Sequence, residues 1–191
     1  MAERSGDGTA LERNEDELGA AVERAQGGDE AAFTVVYRLV DPLLLNYVRT
    51  IVGPADAEDV TSEAWLEIAR DLGRFRGDGA GFRGWAATIA RHRALDHLRW
   101  QRSRPRATLL EQDVLELPGA EDTAAEALER LSTRQALALI ATLPPDQAEA
   151  VVLRVLVGLD AASAARVLGK RPGAVRTASY RGLKRLSRLL G

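Results

Sequence analysis

The sequence predicts an all-α protein of two small helical domains joined by a flexible acidic linker, with a helix-turn-helix in the second domain. Three observations carry this. Apolar residues recur at three- and four-residue spacing and nowhere alternate as a strand would. A stretch near the middle, 106–123, has no period and contains Pro118-Gly119 and scattered acids. The composition is rich in alanine, leucine and arginine and only 5% aromatic, which favours helices. The 191 residues divide into a disordered acidic N-terminus (1–17), a first domain (18–105), the linker (106–123) and a second domain (124–191). Each domain alone buries only roughly 60% of its unfolded surface and should be marginal by itself.

Asp29 is a plausible N-cap for a helix over 30–52. In it Phe33, Val36, Tyr37, Val40, Leu44, Tyr47, Val48 and Ile51 share the helical period, and Pro42 should kink or split it. Gly53-Pro54 ends that segment. The next helix runs from Pro54 to about residue 73, with Asp56, Glu58 and Asp59 in a first turn that favours anions. Residues 73–81 read as a Gly-rich loop. A third helix runs over 82–102, and Pro105 closes it. In the second half four helices are predicted, at about 124–142, 145–157, 161–168 and 173–190. Pro144-Pro145, Gly158 to Asp160 and Gly169 to Pro172 punctuate them.

Composition excludes several classes. With no cysteine, a disulfide scaffold, a thiol nucleophile and a cysteine zinc site are ruled out. The acidic N-terminus has no apolar core segment, so no secretory signal is read there, and the apolar stretches are expected to be too short for membrane insertion. A cytoplasmic location follows as the expectation. His92 and His97 are five apart and off a common face, which argues against a metal pair. The glycines of 73–84 lack the Lys-Ser/Thr of a phosphate loop. No catalysis, cofactor or metal is expected.

The net charge of -2 hides segregation. Residues 29–69 hold eight acids and two arginines, and 107–130 hold seven acids and one arginine. Residues 70–106 hold ten arginines and three acids, and 161–191 hold eight basic groups and no acid. Two basic blocks suggest two polyanion contacts. On a helical wheel Val175, Ala178, Ser179, Gly182, Leu183, Leu186, Leu189 and Leu190 fall on one arc of the last helix. Arg176, Thr177, Tyr180, Arg181, Lys184 and Arg188 fall on the other. A short helix capped by Asp160, a turn at Gly169 and a helix basic on one side form the recognition-helix pattern. On 82–102, Ala87, Ala90, Ala94 and Leu98 make a smooth packing stripe. Trp85, Ile89, His92, Asp96, Arg99 and Trp100 share another arc, where aromatics among arginines suit single-stranded nucleic acid. The alternative there is that Trp85 and Ile89 are core and that Asp96 pairs with Arg99 one turn on.

Taken together the two halves resemble the extracytoplasmic-function (ECF) sigma factors of bacterial RNA polymerase, over about 20–191. DAEDVTSEAWLEIARDLGRFRG (56–77) is similar to the family's clamp-docking segment. FRGWAATIARHRALDHLRWQRSR (82–104) is similar to its promoter-melting and minus-ten segment. The stretch from LPPDQAEAVVLRVLVG to the C-terminal leucines (143–190) is similar to its minus-thirty-five reader. The resemblance implies a non-enzymatic alternative sigma factor that gives core RNA polymerase its promoter specificity; a stand-alone helix-turn-helix regulator is the alternative. It implies core docking by Asp56, Glu58, Asp59, Val60, Glu63 and Leu66. It implies minus-ten contacts by Phe82, Trp85, His92, Arg93, Asp96, Arg99, Trp100 and Arg102. For the minus-thirty-five duplex it implies Arg171, Gly173, Arg176, Thr177, Tyr180, Arg181 and Lys184. An anti-sigma factor is a further implied partner. The chain departs from the family pattern at His92, where asparagine is usual, at Ser62, where glutamine is usual, and at Ala174 and Ala178.

Overall fold

The computed structural model describes residues 6–103 and 124–190. The linker and the first five residues lie outside that range. Within it the chain forms eight α-helices in order: α1 (Gly6–Gln26), α2 (Glu30–Val52), α3 (Ala57–Asp71), α4 (Gly79–Ser103), α5 (Ala124–Ala141), α6 (Pro145–Val151), α7 (Ala161–Leu168) and α8 (Pro172–Leu190). Among the described residues there is no strand.

The first four helices form a bundle because each carries one apolar stripe. Leu18, Ala21 and Val22 of α1 meet Val36, Val40, Leu44, Tyr47 and Val48 of α2. Ala57, Val60, Ala64, Trp65 and Ile68 of α3 and Phe82, Ala86, Ala87, Ala90 and Ala94 of α4 complete the core. The alanines of α4 let α2 and α3 approach closely. Polar groups lock the corners. Gln26 donates to the carbonyls of Leu72 and Phe75, both at 2.8 Å, pinning the end of α1 to the 3-10 turn at Leu72–Arg74. The Trp65 indole donates to Asp41 Oδ1 at 2.9 Å.

Several boundaries differ from expectation. α1 begins at Gly6, upstream of Leu18, and its Glu15 pairs with Arg83 of α4, so a stretch that is polar in sequence meets a charged partner in space. α2 runs unbroken through Pro42. Pro42 and Arg38, whose carbonyl loses its helical donor, both lie on the exposed side of α2, and Val40 and Leu44 hold the helix in the core. As one helix of 23 residues, α2 is long and apolar enough to cross a membrane by length and composition alone. Here its apolar stripe faces the bundle instead. α3 begins at Ala57, so Pro54 precedes the helix, and α4 begins at Gly79, which shortens the glycine loop.

In the second half α6 continues as one π-helical turn over Val152–Leu156, closed by the Val157 N–H on the Val152 carbonyl at 3.0 Å. Gly158, at φ 74°, turns the chain into α7. Asp160 caps α7, accepting from the Ser163 N–H at 2.7 Å, and Gly169 ends it at φ 63° in the left-handed region that favours glycine. The Ser163 N–H, with Arg166 and Arg154 nearby, holds the Asp160 carboxyl below its ordinary value of 3.8. A lowered carboxylate pKa adds stability above the unfolded-state value that is lost as pH falls through the folded-state value. Asp160→Ala is therefore expected to cost about 1 kcal/mol at neutral pH, and the difference from wild type should shrink below pH 4. Thermal unfolding across that range checks it.

The two halves do not stand apart. One continuous apolar core runs from Leu18 to Val175, and α4 lies against α7, as α2 does against α6.

Candidate nucleic-acid interface

On α8, Val175, Ser179 and Gly182 are buried, which turns the opposite arc outward. Arg176, Thr177, Tyr180, Arg181, Lys184 and Arg188 are all exposed, as are Arg171 and Gly173 at the start of the helix. Tyr180 is 65% exposed, and the Lys184 ammonium lies 6.0 Å from its ring centroid. Among the described residues none of Arg171, Arg176, Arg181 and Lys184 has an acidic partner. The wheel is too wide on its apolar side: Leu183 and Leu189 are exposed, while the buried line runs through Val175, Ser179 and Gly182 to half-buried Leu186.

The basic block on α4 is different. Arg83 pairs with Glu15, Arg91 with Glu149 at 2.8 Å, Arg93 with Glu67 at 2.6 Å and Arg99 with Asp96 at 2.6 Å. Counting arginines therefore overstated its positive field. His92, Asp96, Arg99, Trp100 and Arg102 are exposed, and Trp100 leans on His97 with ring centroids 5.9 Å apart. Phe82 is not available to a ligand: it is fully buried in an aromatic cluster with Phe75 and Trp85, because α4 turns this first-turn position onto the core. Trp85, half-buried, and Ile89, buried, follow the alternative reading as core positions.

α3 presents Glu58, Asp59, Glu63 and Leu66 to solvent, with Leu66 74% exposed. Val60 does not join them. It is 1% exposed and packs with Ala64 and Ile68, since positions four apart share a face. Asp56 accepts from the Gln101 amide at 2.8 Å and lies 3.4 Å from His97 Nε2, tying the start of α3 to the end of α4.

Sequence reasoning missed one cluster. Glu149 of α6 accepts from the Tyr47 hydroxyl of α2 at 2.9 Å and from Arg91 of α4 at 2.8 Å. Burial, with the Glu149 charge, pushes the Tyr47 hydroxyl well above its ordinary pKa. Burial alone would lower the Arg91 guanidinium, but the hydrogen bond and charge of Glu149 outweigh it and raise it. These residues lie 58 and 102 positions apart, so no local pattern flags them. Among the described residues no group of acidic or histidine side chains is placed to hold a metal ion.

Two bundles in this order, an acidic-faced helix before an aromatic and basic one and then a helix-turn-helix, match two family descriptions. Residues 36–104 match Sigma-70 region 2, and residues 133–186 match Sigma-70, region 4. Together the two regions define a sigma factor. The chain is 40% identical over 171 residues to the ECF RNA polymerase sigma factor BldN of Streptomyces coelicolor, a match covering 88% of this chain and 64% of that protein. It is 37% identical to the ECF sigma factor ShbA of Streptomyces griseus, covering 90% and 94%, and 35% identical to SigD of Mycobacterium tuberculosis, covering 88% and 82%. Among solved structures, CnrH in complex with the cytosolic domain of CnrY shares the fold at TM-score 0.61 and 23% identity, covering 92% of this chain and 97% of that one. The chain belongs to the ECF sigma factors: it is an alternative sigma factor that directs transcription, and the stand-alone regulator is not favoured.

Proposed function

We propose that this chain docks on core RNA polymerase through the solvent face of α3, reads a minus-thirty-five duplex with α8, and holds the minus-ten strand along the outer end of α4, while the polymerase performs the chemistry. The observation that carries the reading is the contrast between α8, whose exposed cations have no acidic partner among the described residues, and α3, whose first two turns expose Glu58, Asp59 and Glu63 with Leu66 one turn further on. The acidic arc of Glu58, Asp59 and Glu63 with Leu66 suits a basic-rimmed surface, and Asp56 and Val60 leave that set. The minus-ten set narrows to His92, Asp96, Arg99, Trp100 and Arg102, with Arg93 positioned by Glu67 and with Trp85 and Phe82 behind it as support. The acidic linker lies outside the described residues; its charge suits a positively lined channel. The relatives in solved complexes with CnrY and with the anti-sigma factor NepR make an anti-sigma partner the fitting regulator here. Run-off transcription with core polymerase and a promoter library tests the reading: promoter-dependent product supports it, and duplex binding by the free chain as a dimer would favour a regulator.

Within α8 the roles divide by position. The N-terminal end of such a helix reaches deepest into the major groove, so Arg176 and Thr177 face base edges, and an arginine there favours guanine. Lys184, two turns on, meets phosphate. Arg176→Ala is expected to cost about 1–3 kcal/mol on the preferred element and to relax one base position. Lys184→Ala should weaken all sequences alike and lower the salt slope by about one unit. Holoenzyme binding over several salt concentrations separates the two. Equal losses on every sequence for Arg176→Ala would make it a phosphate contact.

A further inference from the structure

The end of α4 that carries the proposed minus-ten face has little apolar packing of its own. The buried residues of α4 stop at Ala94, and Leu95 and Leu98 beyond it are only half-buried. Asp96, Arg99, Trp100 and Arg102 all lie in this last stretch and all are exposed, so burial does not fix where they point. A helix end left to itself frays, because its last carbonyls have no helical donor.

Polar links to α3 stand where the packing stops. Arg93, His97 and Gln101 recur every four residues and therefore share one face of α4. Arg93 reaches Glu67, towards the end of α3, at 2.6 Å, and Gln101 reaches Asp56, at its start. The two helices thus run antiparallel and are joined at both ends of their contact. At the outer end three groups meet. The Gln101 amide nitrogen donates to Asp56 Oδ2 at 2.8 Å and lies 3.0 Å from His97 Nε2, which is 3.4 Å from the same carboxylate oxygen. An amide nitrogen carries two hydrogens and accepts none, so with neutral His97 its second hydrogen goes to Nε2. The His97 ring in turn backs Trp100, with centroids 5.9 Å apart and planes 36° apart.

Asp56 sets this link apart from a chance surface contact. It stands at the N-cap position of α3, where an aspartate ordinarily accepts from an N–H of its own helix. Here its side chain makes no cap bond and turns to α4 instead. The link is exposed, so it adds little to the stability of the bundle as a whole. What it governs is the direction of the helix end.

We propose that Gln101 and His97 are positioning residues: with Asp56 they tie the last two turns of α4 to α3 and hold Trp100 as a ready stacking platform for an unpaired minus-ten base. The proposal rests on the minus-ten reading of α4. With α3 docked on polymerase, Asp56 is a fixed point, and the tether sets Trp100 relative to it before any base leaves the duplex. A ring already in place takes the base without the ordering cost of a frayed helix end.

Gln101→Leu removes both amide hydrogens and keeps a good helix former in place. With 5-fluorotryptophan incorporated, the full-length chain gives one fluorine signal for each of its 3 tryptophans, and Trp100→Phe assigns the one that matters. In Gln101→Leu, and in His97→Ala, the Trp100 signal should shift and narrow while those of Trp65 and Trp85 stay, which a general loosening of the fold would not produce. In the holoenzyme, permanganate reactivity of minus-ten thymines should show opening slowed about five- to tenfold by Gln101→Leu, with affinity for core polymerase unchanged. Trp100→Ala should slow opening about tenfold, and Gln101→Leu should add less than about twofold on that background, since the tether acts through the ring. Asp56→Asn with Gln101→Glu exchanges donor and acceptor at constant net charge and should recover most of the loss. An unmoved Trp100 signal, unslowed opening in Gln101→Leu, or a full further loss on the Trp100→Ala background would each overturn the positioning role. Slowed opening in Trp100→Ala beside an unaffected Gln101→Leu would leave the minus-ten placement of Trp100 standing without the tether. Opening as fast as wild type in Trp100→Ala would overturn the platform together with that placement.

Discussion

Reversing Asp59 and Glu63 to lysine is expected to abolish binding to core RNA polymerase while changing stability by no more than about 0.5 kcal/mol. The two side chains are i,i+4 on α3 and both exposed, and neither makes an ion pair among the described residues. They repel each other slightly, so the helix does not need them for itself. The core side of α3, with Val60, Ala64, Trp65 and Ile68, is untouched by the change. Asp59 lies in the first turn, where a negative charge complements the helix dipole, so its reversal carries a small stability cost. Two positive charges set against a basic-rimmed surface turn attraction into repulsion, and Leu66, 74% exposed one turn beyond Glu63, cannot seat against a partner that the charges hold off. A pull-down with core polymerase, read beside a thermal melt, checks both halves of the expectation. Unaltered binding would remove α3 as the docking face.

A loss of stability is expected at Gly182. In an open helix interior, replacing glycine with alanine stabilises by up to about 1 kcal/mol. Here a Cβ would lie 2.7 Å from Val151 Cγ2, 3.3 Å from Leu143 Cδ1 and 3.4 Å from the Gln147 carbonyl. Val151 is 2% exposed and β-branched, so it has one favoured rotamer and no room to turn. The clash wins: Gly182→Ala should destabilise by about 1–3 kcal/mol, and Gly182→Val by more. Because α8 seats on α6 at this crossing, the same change should tilt the DNA-facing arc and weaken minus-thirty-five binding. Gly173→Ala is the control on stability. Nothing lies within 4 Å of a Cβ there, so the ordinary gain in helix propensity should appear. Thermal unfolding of the three variants ranks them, and a neutral Gly182→Ala would mean that α6 and α8 yield more readily than their packing implies.

The helices were legible because their signals are local. Asp29 and Asp160 accept from the N–H three residues on, at 2.9 and 2.7 Å, as cap positions should. Gly169 ends α7 in the left-handed region, and the exposed arc of α8 follows from its period. A wheel separates faces, and the structure turns Arg176, Tyr180, Asp59 and Glu63 outward as the wheel has them. It failed for Val60 and Phe82, which bear on motif segments but face inward, because a resemblance assigns a function to a stretch and burial is assigned residue by residue. It also failed for the charge of α4. Ten arginines in 70–106 read as a positive block, yet Arg83, Arg91 and Arg93 spend their charge on Glu15, Glu149 and Glu67, acids that lie 26 to 68 positions away.

By itself the sequence determined the helical class, the two-part organisation, the order of the motifs and the outward arcs of α3 and α8, all of which depend on residues within about one or two helical turns of each other. Only the tertiary structure decided that α1 reaches back to Gly6 to meet Arg83, that Pro42 leaves α2 intact, and that the two halves close on each other through Tyr47, Arg91 and Glu149. The physical reason is range. Periodicity and capping act along one helix, where backbone geometry places the partners in advance. An ion pair between helices depends on the crossing of whole elements, which the summed burial of their apolar stripes sets and no single segment records.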